Sequence, residues 1–451
     1  MSRLFGTDGV RGIANRELTP DLAYRLGYAG AVVLAGEKSH KPTILIGSDT
    51  RISCDMLESA LTAGICAAGA DVSLCGVVPT PAVSYLTKKY KCDAGVVISA
   101  SHNSFEYNGI KFFSADGFKL PDSTEDKIEA LVHSYAENNW MRPEGEAVGR
   151  RVFKSHAAHE YVEHLKRCIS VDLSSMKIAL DCANGAASAL APGLFTDLGA
   201  DVVTIGNNPD GLNINANCGS THLGCLKDLV VREKCDIGLA FDGDADRLLI
   251  VDEKGQTVDG DAILAIIGLD MKQTNELSKN TIVVTVMSNL GLDIMASQNG
   301  LNLEKTKVGD RYVLENMLAN GFNIGGEQSG HVILLDHSTT GDGMLTALAF
   351  LRVLTRRKVN TSEAAKIIHV LPQVLRPAHI PEDKKTKVMT DELILSEIAR
   401  LESILDGKGR ILVRPSGTEP MIRVMIEGED YDQIEKMAEN IVNQITTRYR
   451  E

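Results

Sequence analysis

Short runs of apolar residues recur along the chain, and each run ends in small or polar residues. Three of them are typical of a strand that opens an α/β unit: TILIGSDT at 43–50, KIALDCANG at 177–185 and TIVVTVMSN at 281–289. After the first run, Leu57, Leu61 and Ile65 recur every fourth residue, which predicts the apolar face of a helix. A second strand is predicted after each helical stretch: ADVSLCG at 70–76, ADVVTIG at 200–206 and LNLEKTKVG at 301–309. The pattern therefore indicates three copies of one structural unit.

The third predicted strand of each copy runs directly into a loop of small, polar and charged residues. These segments are KCDAGVVISASHN at 91–103, KCDIGLAFDGDADR at 234–247 and NGFNIGGEQSGH at 320–331. A fourth strand follows each loop, at 110–120, 247–258 and 331–336, and the ADG and EKG segments are typical of hairpin turns. Strands that alternate with helices indicate a mainly parallel sheet, in which ligands bind at the carboxyl ends of strands. Each of the three loops is therefore a candidate wall of one site.

The last part of the chain has a different pattern. The segment GRILVRPSGTEPMIRVMIEGED at 409–430 predicts two strands around a Gly/Pro loop. A helix is predicted after it, with Asp430 as its N-cap and an apolar face made of Ile434, Met437, Ile441 and Ile445. The predicted fold class is therefore α/β: three homologous units with mixed, mainly parallel sheets, followed by a smaller α+β domain. The predicted domains are 1–152, 153–258, 259–370 and 371–451.

Composition excludes several classes of protein. The chain has 451 residues and a net charge of −13, whereas a general nucleic-acid binder needs a basic surface. No apolar run approaches the ~18 residues of a membrane span, and no apolar signal-peptide core follows Arg3, so we expect a cytoplasmic protein. None of the nine cysteines forms a C-x-x-C pair, which predicts free thiols in a reducing compartment rather than a zinc site or disulfides.

The segment DGDADR places three carboxylates, Asp242, Asp244 and Asp246, at alternate positions after a predicted strand. Carboxylates this close repel one another unless a cation neutralises them, and hard oxygen ligands suit Mg²⁺ or Ca²⁺. A calcium hand needs glycine at the sixth position of its loop, where this chain has Arg247. The segment therefore favours Mg²⁺ in an enzyme, with a solvated acidic turn as the alternative.

The equivalent loop of the first copy contains Ser101, followed by His102, at the end of an apolar strand. A hydroxyl that faces a metal loop can carry a transferable group, and Lys111 begins the next predicted strand near the same site. Adjacent residues of an extended chain lie on opposite sides, so His102 need not activate Ser101. The alternatives are a capping serine in a polar loop and a lysine at the surface.

The loop GGEQSGH supplies Glu327, Ser329 and His331 among glycines. Donors and acceptors at alternate positions suit the vicinal hydroxyls of a sugar, and a histidine can transfer protons near neutral pH. Taken alone, this loop favours the alternative, a structural turn.

Two further loops suit phosphate. The segment RPSGTEP offers a guanidinium fork, two hydroxyls and backbone amides, contributed by Arg414, Ser416, Gly417 and Thr418, with Arg423 beyond. The segment FGTDGVRG lacks apolar periodicity, which predicts a Gly-rich loop with Thr7 and Arg11, where Arg11 is a second candidate phosphate ligand. Neither G-K-[ST] nor G-x-G-x-x-G occurs, which argues against a nucleoside triphosphate or dinucleotide enzyme. For the RPSGTEP segment, the alternative is a hairpin turn with a surface arginine.

Six motifs in this order resemble the α-D-phosphohexomutase superfamily over essentially the whole chain: FGTDGVRG, SASHN, NGIKFF, DGDADR, GEQSGH and RPSGTEP. Gln328 within GEQSGH resembles the phosphoglucosamine branch, because the mannose and glucose enzymes more often have Met there. The resemblance implies four domains around a central cleft. One departure is Ser104, which stands where the serine loop usually has Pro.

The resemblance also implies roles for individual residues. Ser101 is the phosphoserine, and one Mg²⁺ per active site is bound by it together with Asp242, Asp244 and Asp246. The sugar-binding pair is Glu327 and Ser329. The residues implied for phosphate binding are Arg414, Ser416, Gly417, Thr418 and Arg423. The residues implied for charge stabilisation and proton transfer are Arg11, Lys111, Arg247 and His331.

The implied reaction interconverts the 6-phosphate and 1-phosphate of glucosamine, a step toward cell-wall precursors. A sugar bisphosphate serves as intermediate and activator, and the other expected partner is a second copy in a homodimer, with no nucleic acid and no membrane. The alternatives are the same chemistry on mannose or glucose phosphates and a Mg²⁺-dependent phosphatase that uses Ser101 as its nucleophile.

Overall fold

The computed structural model describes residues 3–6, 8–36, 40–134, 140, 142–416 and 419–449. It divides into a larger unit, with residues up to Met287 and Gly300–Ile367, and a smaller unit, with Ser288–Asn299 and the residues from Ile368 onward. Within those ranges, no helix combines the length and the apolar character that crossing a membrane requires. The domain boundaries predicted at 152, 258 and 370 stay predictions.

The first sheet of the larger unit has six strands in the order β1-β5-β4-β2-β3-β6. These strands are β1 (Val10–Ile13), β2 (Thr43–Ser48), β3 (Asp71–Val77), β4 (Ala94–Ile98), β5 (Tyr107–Ser114) and β6 (Arg151–Phe153). Strand β2 is parallel to β3 and β4, whereas β5 is antiparallel to β4 and β1. The helices of this part are Pro20–Ala35, Ser53–Ala67, Thr80–Lys89 and Asp122–His133. Leu57, Leu61 and Ile65 are fully buried in the shared core, which confirms the predicted helix face.

The other two sheets of the larger unit repeat this plan. The second has the order β11-β10-β9-β7-β8, with β7 (Lys177–Asp181), β8 (Asp201–Ile205), β9 (Ile237–Phe241), β10 (Leu248–Asp252) and β11 (Thr257–Val258). The third has the order β13-β12-β14-β15, with β12 (Thr281–Thr285), β13 (Asn302–Thr306), β14 (Ile324–Gly326) and β15 (Val332–Leu334). The associated helices are Ala157–Cys168, Ala191–Asp197, Gly224–Glu233, Gly260–Gln273, Asp310–Asn320, Gly343–Arg357 and Thr361–Ala364.

In all three sheets the third strand of the repeat is parallel to the first and antiparallel to the fourth. The three loops that join third and fourth strands are therefore structurally equivalent, which confirms the prediction from the repeat. The predicted hairpin turns also form, with Gly117 and Gly255 in the left-handed backbone region at φ +77° and +79°. The nine cysteines are free thiols, as predicted.

Two sequence predictions were wrong in detail. Residues 10–13, expected in a loop, form β1, and Val10 pairs with Ile110 of β5. This edge strand is stabilised by pairing with a segment about a hundred residues away. Its own four residues are too few to show a periodic pattern in the sequence. Lys111 was expected at the start of the fourth strand, but β5 begins at Tyr107 and places Lys111 in its interior.

The smaller unit contains a three-stranded antiparallel sheet in the order β16-β18-β17. Its strands are β16 (Gln373–His379), β17 (Arg410–Pro415) and β18 (Met421–Glu427), and its helices of eight or more residues are Leu290–Gln298, Glu392–Leu405 and Tyr431–Tyr449. The sequence predicted β17, β18 and the last helix, whose N-cap Asp430 accepts a hydrogen bond from the Gln433 amide at 3.1 Å. Its predicted apolar face lies in the core of this unit.

An internal segment of the chain belongs to this smaller unit. The carboxylate of Glu427, which is fully buried, accepts hydrogen bonds from the Leu290 amide at 3.1 Å, Arg410 Nε at 2.6 Å and Gln373 Nε2 at 2.8 Å. The first of these donors begins the helix Leu290–Gln298. The side chain of Glu427 thus joins that helix to all three strands of the sheet.

Candidate active site

Three carboxylates converge in the loop that follows β9. Asp242, Asp244 and Asp246 are each at most 4% exposed, and among the residues described their ligand oxygens all lie within 4.8 Å of one another. Ala245 lies in the left-handed backbone region at φ +55°, which bends the loop between the second and third carboxylates. The alternating acidic positions therefore converge through a tight loop rather than along a continuing strand.

The donor set of this loop fits a divalent cation. Asp244 Oδ1 and Asp246 Oδ1 are buried and have no hydrogen-bond partner among the residues described. Buried carboxylate oxygens without a partner are costly, and oxygen ligands of this kind suit Mg²⁺. Burial raises the pKa of Asp242 well above its ordinary value, and the charges of Asp246 and Asp244 raise it further. Keeping all three groups ionised therefore requires positive charge in the loop.

Ser101 lies beside the acidic loop, at the end of β4. Its Oγ donates a hydrogen bond to Asp242 Oδ2 at 2.6 Å, and the residue is 1% exposed. Its backbone has φ +51°, a left-handed conformation that costs a non-glycine residue about 1–2 kcal/mol. His102 Nδ1 is 3.4 Å from the hydroxyl, and burial followed by the charges of Arg247 and Arg11 lowers the pKa of His102 to about 4. The imidazole is therefore neutral near pH 7.

Lys111 supplies positive charge directly to the acidic loop. Its Nζ lies 2.9 Å from Asp244 Oδ2 and 2.9 Å from Asp8 Oδ2, and its side chain is 2% exposed. Thr80 Oγ1 donates to Asp244 Oδ2 at 2.7 Å. Burial acts to raise the pKa of Asp244, but Lys111 and Thr80 outweigh it and hold that pKa below its ordinary value. Lys111 therefore keeps Asp244 ionised.

A chain of alternating acidic and basic side chains leads from Lys111 back to the acidic loop. Asp8 binds Lys119 Nζ at 2.6 Å, Lys119 also pairs with Asp310, and Asp310 Oδ2 lies 3.6 Å from His331 Nε2. His331 Nδ1 in turn lies 3.4 Å from Asp246 Oδ2. All these groups are largely buried, so each charge in the chain is compensated by its neighbours rather than by water.

The histidine of this chain has a defined hydrogen-bonding state. His331 Nε2 accepts a hydrogen bond from the Gly341 amide at 3.1 Å. A neutral imidazole that accepts at Nε2 carries its proton on Nδ1, which is the atom beside Asp246. The proton of His331 is therefore held at the acidic loop.

The two predicted arginines differ in how they relate to the three aspartates. Arg247 Nε is 3.7 Å from Asp246 Oδ1, and the Arg247 amide donates to Asp242 Oδ1 at 3.3 Å. Arg11 pairs with Asp8, so its charge is shared with the lysine chain rather than directed at the three aspartates. The structure thus brings Ser101, Lys111, Arg247 and His331 into direct contact with the acidic loop and connects Arg11 to it through Asp8.

The loop after β14 is anchored by two adjacent side chains. Glu327 Oε1 accepts from the Gly309 amide at 3.1 Å, and Gln328 Nε2 donates to Asp259 Oδ2 at 3.2 Å. Ser329 is exposed. The side chain of Gln328 is therefore occupied within the protein, whereas the hydroxyl of Ser329 faces solvent.

The residues predicted for phosphate binding belong to the smaller unit. Arg414 on β17 lies opposite Arg423 on β18, and Arg414 Nε is buried without a hydrogen-bond partner among the residues described. Burial, and then the charge of Arg423, lowers the pKa of Arg414. Arg423 Nη2 pairs with Glu419 Oε2 at 2.9 Å, and two cations held side by side favour a further anion next to Arg414. Gly417 and Thr418, predicted for the same loop, lie outside the described residues, as does Thr7 of the first loop.

Several residues of these sites were missed by the sequence analysis. In the larger unit they are Asp8, Thr80, Lys119 and Asp310, and in the smaller unit Lys385, whose Nζ donates to the Ser416 carbonyl at 2.7 Å. Asp8 and Lys119 fall within or beside segments already noted. In the sequence, however, a charged residue beside a glycine turn cannot be told from a solvent-exposed residue. Their partners come from distant parts of the chain, which local patterns do not reveal.

Four domain models of one family match the chain in order. They describe phosphoglucomutase/phosphomannomutase alpha/beta/alpha domain I at residues 2–139, domain II at 159–255, domain III at 259–370 and the C-terminal domain at 378–444. The phosphoglucosamine mutase of Ruminiclostridium cellulolyticum is 57% identical over 99% of this chain and 100% of its own length.

Solved structures show the same fold at lower identity. A phosphoglucomutase/phosphomannomutase family protein from Burkholderia thailandensis matches with a TM-score of 0.81 at 22% identity, covering 99% of this chain and 98% of that one. The N-acetylphosphoglucosamine mutase of Aspergillus fumigatus, solved with GlcNAc-6P and magnesium, matches with a TM-score of 0.69 at 17% identity over 98% and 95% of the two chains. The chain therefore belongs to the phosphoglucomutase/phosphomannomutase family, and within it to the phosphoglucosamine mutases.

Proposed function

We propose that this protein is an enzyme that interconverts glucosamine 6-phosphate and glucosamine 1-phosphate by phosphoryl transfer through Ser101. The observation that carries the proposal is the buried hydroxyl of Ser101, 2.6 Å from the first of three clustered carboxylates. Full-length identity above 50% to curated phosphoglucosamine mutases supports the choice of substrate over mannose or glucose phosphates.

The residues fit a magnesium-dependent form of this chemistry. We propose one Mg²⁺ per site, bound by Asp242, Asp244 and Asp246 with the phosphate on Ser101. When bound, the ion supplies positive charge to the oxygens of the transferring phosphoryl group. The Oδ1 atoms of Asp244 and Asp246, which accept no hydrogen bond from the residues described, support this ligand set.

The proposed cycle has two transfers. The phosphoryl group leaves Ser101 Oγ as its bond to the free hydroxyl of the sugar phosphate forms, which gives a sugar bisphosphate. The bisphosphate then presents its other phosphate, and that group returns to Ser101, releasing the isomeric product. The attacking hydroxyl gives its proton to His331, the group proposed for proton transfer, and Ser101 Oγ gains a proton as its phosphate leaves. In the second transfer Ser101 Oγ loses that proton and the departing sugar oxygen gains one. To accept a proton, His331 Nε2 must release the Gly341 amide.

The charges around Ser101 support transfer at this position. A phosphoserine adds about −1.5 to −2 at neutral pH, and the three aspartates add three negative charges that one Mg²⁺ compensates only in part. Lys111 and Arg247 contact two of the aspartates directly. We propose that these two cations, with Arg11 through Asp8, stabilise the charge that develops in transfer.

Substrate contacts are proposed for two loops. Glu327 and Ser329 suit the sugar hydroxyls, since the first is held in place by the Gly309 amide and the second is exposed. For the phosphate group that is not reacting we propose Arg414, Ser416, Gly417, Thr418 and Arg423. A bisphosphate activator, a homodimer, a cytoplasmic location and the domain boundaries 1–152, 153–258, 259–370 and 371–451 belong to the same proposal.

The test compares initial rates on three substrates. The enzyme receives glucosamine 6-phosphate, mannose 6-phosphate or glucose 6-phosphate with a trace of the matching bisphosphate, with Mg²⁺ or with EDTA, and both the 1-phosphate and free phosphate are measured. We expect glucosamine 6-phosphate to lead in kcat/KM by orders of magnitude, without free phosphate and only with Mg²⁺. A lead by another hexose contradicts the substrate, and phosphate released in step with substrate loss contradicts a mutase in favour of a phosphatase.

A further inference from the structure

The backbone of the Ser101 turn is held by two side chains that take no part in the proposed transfer. The carbonyl oxygens of Ser101 and Asn103 each accept two hydrogen bonds. Arg51 Nη2 donates to them at 2.9 and 2.8 Å, and Asn215 Nδ2 donates to the same two oxygens at 2.9 and 2.9 Å. Both acceptor positions of each carbonyl are therefore occupied by side chains from two other loops.

The guanidinium of Arg51 is fully committed to this turn. Its side chain has no exposed surface and forms an ion pair with Asp49, with Nε 2.9 Å from Oδ2. Its Nη1 donates to the carbonyls of Tyr107, at 3.1 Å, and Ser104. No donor of the guanidinium is left for a substrate phosphate, so Arg51 acts on the protein itself.

The amide end of the same turn is fixed through Asp49. The Ser101 amide donates to Ser99 Oγ at 3.0 Å, and Ser99 Oγ donates to Asp49 Oδ2 at 2.6 Å. Asp49 is the ion-pair partner of Arg51, so one buried pair holds both the amide and the carbonyl of Ser101. These contacts fix the two peptide groups that define the left-handed conformation of this residue.

Asn215 comes from the repeat that carries the acidic loop. It lies 7% exposed between β8 and the helix Gly224–Glu233, and its own backbone amide donates to the Ala183 carbonyl at 2.8 Å. Gly243 of the acidic loop packs in the same place, since a Cβ there would lie 2.5 Å from the Ser101 carbonyl oxygen and 2.9 Å from Asn215 Nδ2. Asn215 therefore sets the position of the serine turn relative to the acidic loop.

We propose that Arg51 and Asn215 are positioning residues for phosphoryl transfer, which hold the Ser101 turn so that its Oγ meets Asp242. The inference rests on the proposed function for the reaction, but its geometry is independent of the substrate. Reacting groups must be held close to their productive positions, and a small displacement of the serine is enough to slow transfer. The strained turn reaches that position only because the two side chains occupy its carbonyls.

The test removes the Asn215 donor twice, once with the size of the side chain kept and once with the side chain truncated. Asn215→Asp puts a carboxylate oxygen where Nδ2 donates, and Asn215→Ala removes the group. The matched control is Asn217→Asp, since Asn217 lies on the same loop, also has positive φ (+55°) and is exposed. Each variant is assayed for kcat, KM, the single-turnover rate of Ser101 phosphorylation by the bisphosphate, and Tm, and Asn215→Ala is also crystallised.

For both Asn215 variants we expect kcat and the single-turnover rate to fall together by about 10²-fold, with KM changed by less than about threefold. The crystal structure of Asn215→Ala is expected to show Ser101 Oγ out of hydrogen-bonding distance of Asp242. The control should keep its rates within about twofold of the unmodified enzyme. Arg51→Lys serves as a second variant, because a lysine keeps the charge and cannot reach all four carbonyls; it too should lose kcat.

Three results overturn the inference. The first is an unchanged single-turnover rate in both Asn215 variants. The second is a loss of rate matched by an equal rise in KM and a large fall in Tm, which shows general destabilisation. The third is a crystal structure in which the serine turn is unmoved. If the unmodified enzyme shows no mutase activity, the proposed function fails instead, and the crystal structure alone decides the inference.

Discussion

Replacing Lys111 with methionine tests the charge arrangement around the acidic loop. The substitution keeps the length of the side chain but removes an ammonium group that lies 2.9 Å from both Asp8 and Asp244 and is almost completely buried. Removing one partner of a buried ion pair costs about 3–5 kcal/mol, because the other charge stays buried without compensation. Here the low end applies, since Asp8 keeps Lys119 at 2.6 Å and Asp244 keeps the Thr80 hydroxyl at 2.7 Å.

The expected loss of about 3 kcal/mol translates into a measurable shift of Tm. Unfolding entropy of about 2.1 cal/mol/K per residue, over the roughly 350 residues of the larger unit, gives ~0.7 kcal/mol/K. The melting transition of Lys111→Met should therefore lie about 4 °C lower by calorimetry in EDTA. Added Mg²⁺ should recover part of the shift, because a bound cation compensates the same carboxylates.

The control is Lys41→Met, which removes a surface ion pair of similar length. Lys41 Nζ lies 3.1 Å from Asp71 Oδ1, and both side chains are 35% exposed, so its loss should cost under about 1 kcal/mol. Only Lys111→Met should also lower kcat, by about 10²-fold, because it removes charge stabilisation next to Ser101. Equal Tm shifts in the two variants, together with an unchanged kcat for Lys111→Met, would refute this account of the site.

Three further predictions concern the serine, the phosphate loop and a buried aspartate. Ser101→Ala should abolish turnover while isothermal titration still detects sugar-phosphate binding; normal turnover would exclude Ser101 as the phosphoryl carrier. Arg414→Ala should raise KM about 10–100-fold with little change in kcat, through loss of a charge-assisted hydrogen bond worth about 1.5–3 kcal/mol, and an unchanged KM would remove Arg414 from the phosphate site. Burial raises the pKa of Asp342 from 3.8 to about 6, so the folded state binds this proton more tightly than the unfolded state and stability falls as pH rises from about 4 to 6. Asp342→Asn removes that loss, so its stability relative to the unmodified protein should rise by about 2–3 kcal/mol across this window in chemical unfolding; a difference that does not vary with pH would contradict the raised pKa.

The sequence was most informative where a local pattern and a repeat agreed. The three loops after the third strands could be placed at equivalent positions because each follows an apolar strand and precedes another. The same reasoning brought Asp242, Asp244 and Asp246 together, since alternate positions on a glycine-containing loop converge. The N-cap at Asp430 could be predicted because its hydrogen bond is made three residues along the chain.

The contacts and strands that the sequence did not reveal depend on residues far apart in the chain. Arg51 and Asn215 meet at two backbone carbonyls from loops more than a hundred residues apart, and carbonyl oxygens carry no sequence signal. Strand β1 was expected as a loop because its four residues, which include Gly12 and follow Gly9, acquire strand geometry only by pairing with β5. Strand β16 was not predicted at all, since Arg376 and Pro377 interrupt its apolar pattern. In each case the stabilising contact is tertiary rather than local.

The contribution of an internal helix to the smaller unit has a consequence for biosynthesis. During translation, the helix Leu290–Gln298 leaves the ribosome well before Glu427, whose carboxylate accepts from the Leu290 amide. The intervening segment Gly300–Ile367 belongs to the larger unit. The two units therefore cannot be completed one after the other along the nascent chain, because the smaller one closes only when the last strand of its sheet has been made. A fragment that starts at residue 371 would lack the helix and leave a fully buried glutamate without its Leu290 and Asn289 donors, so we expect the C-terminal segment to be less stable on its own than in the intact chain.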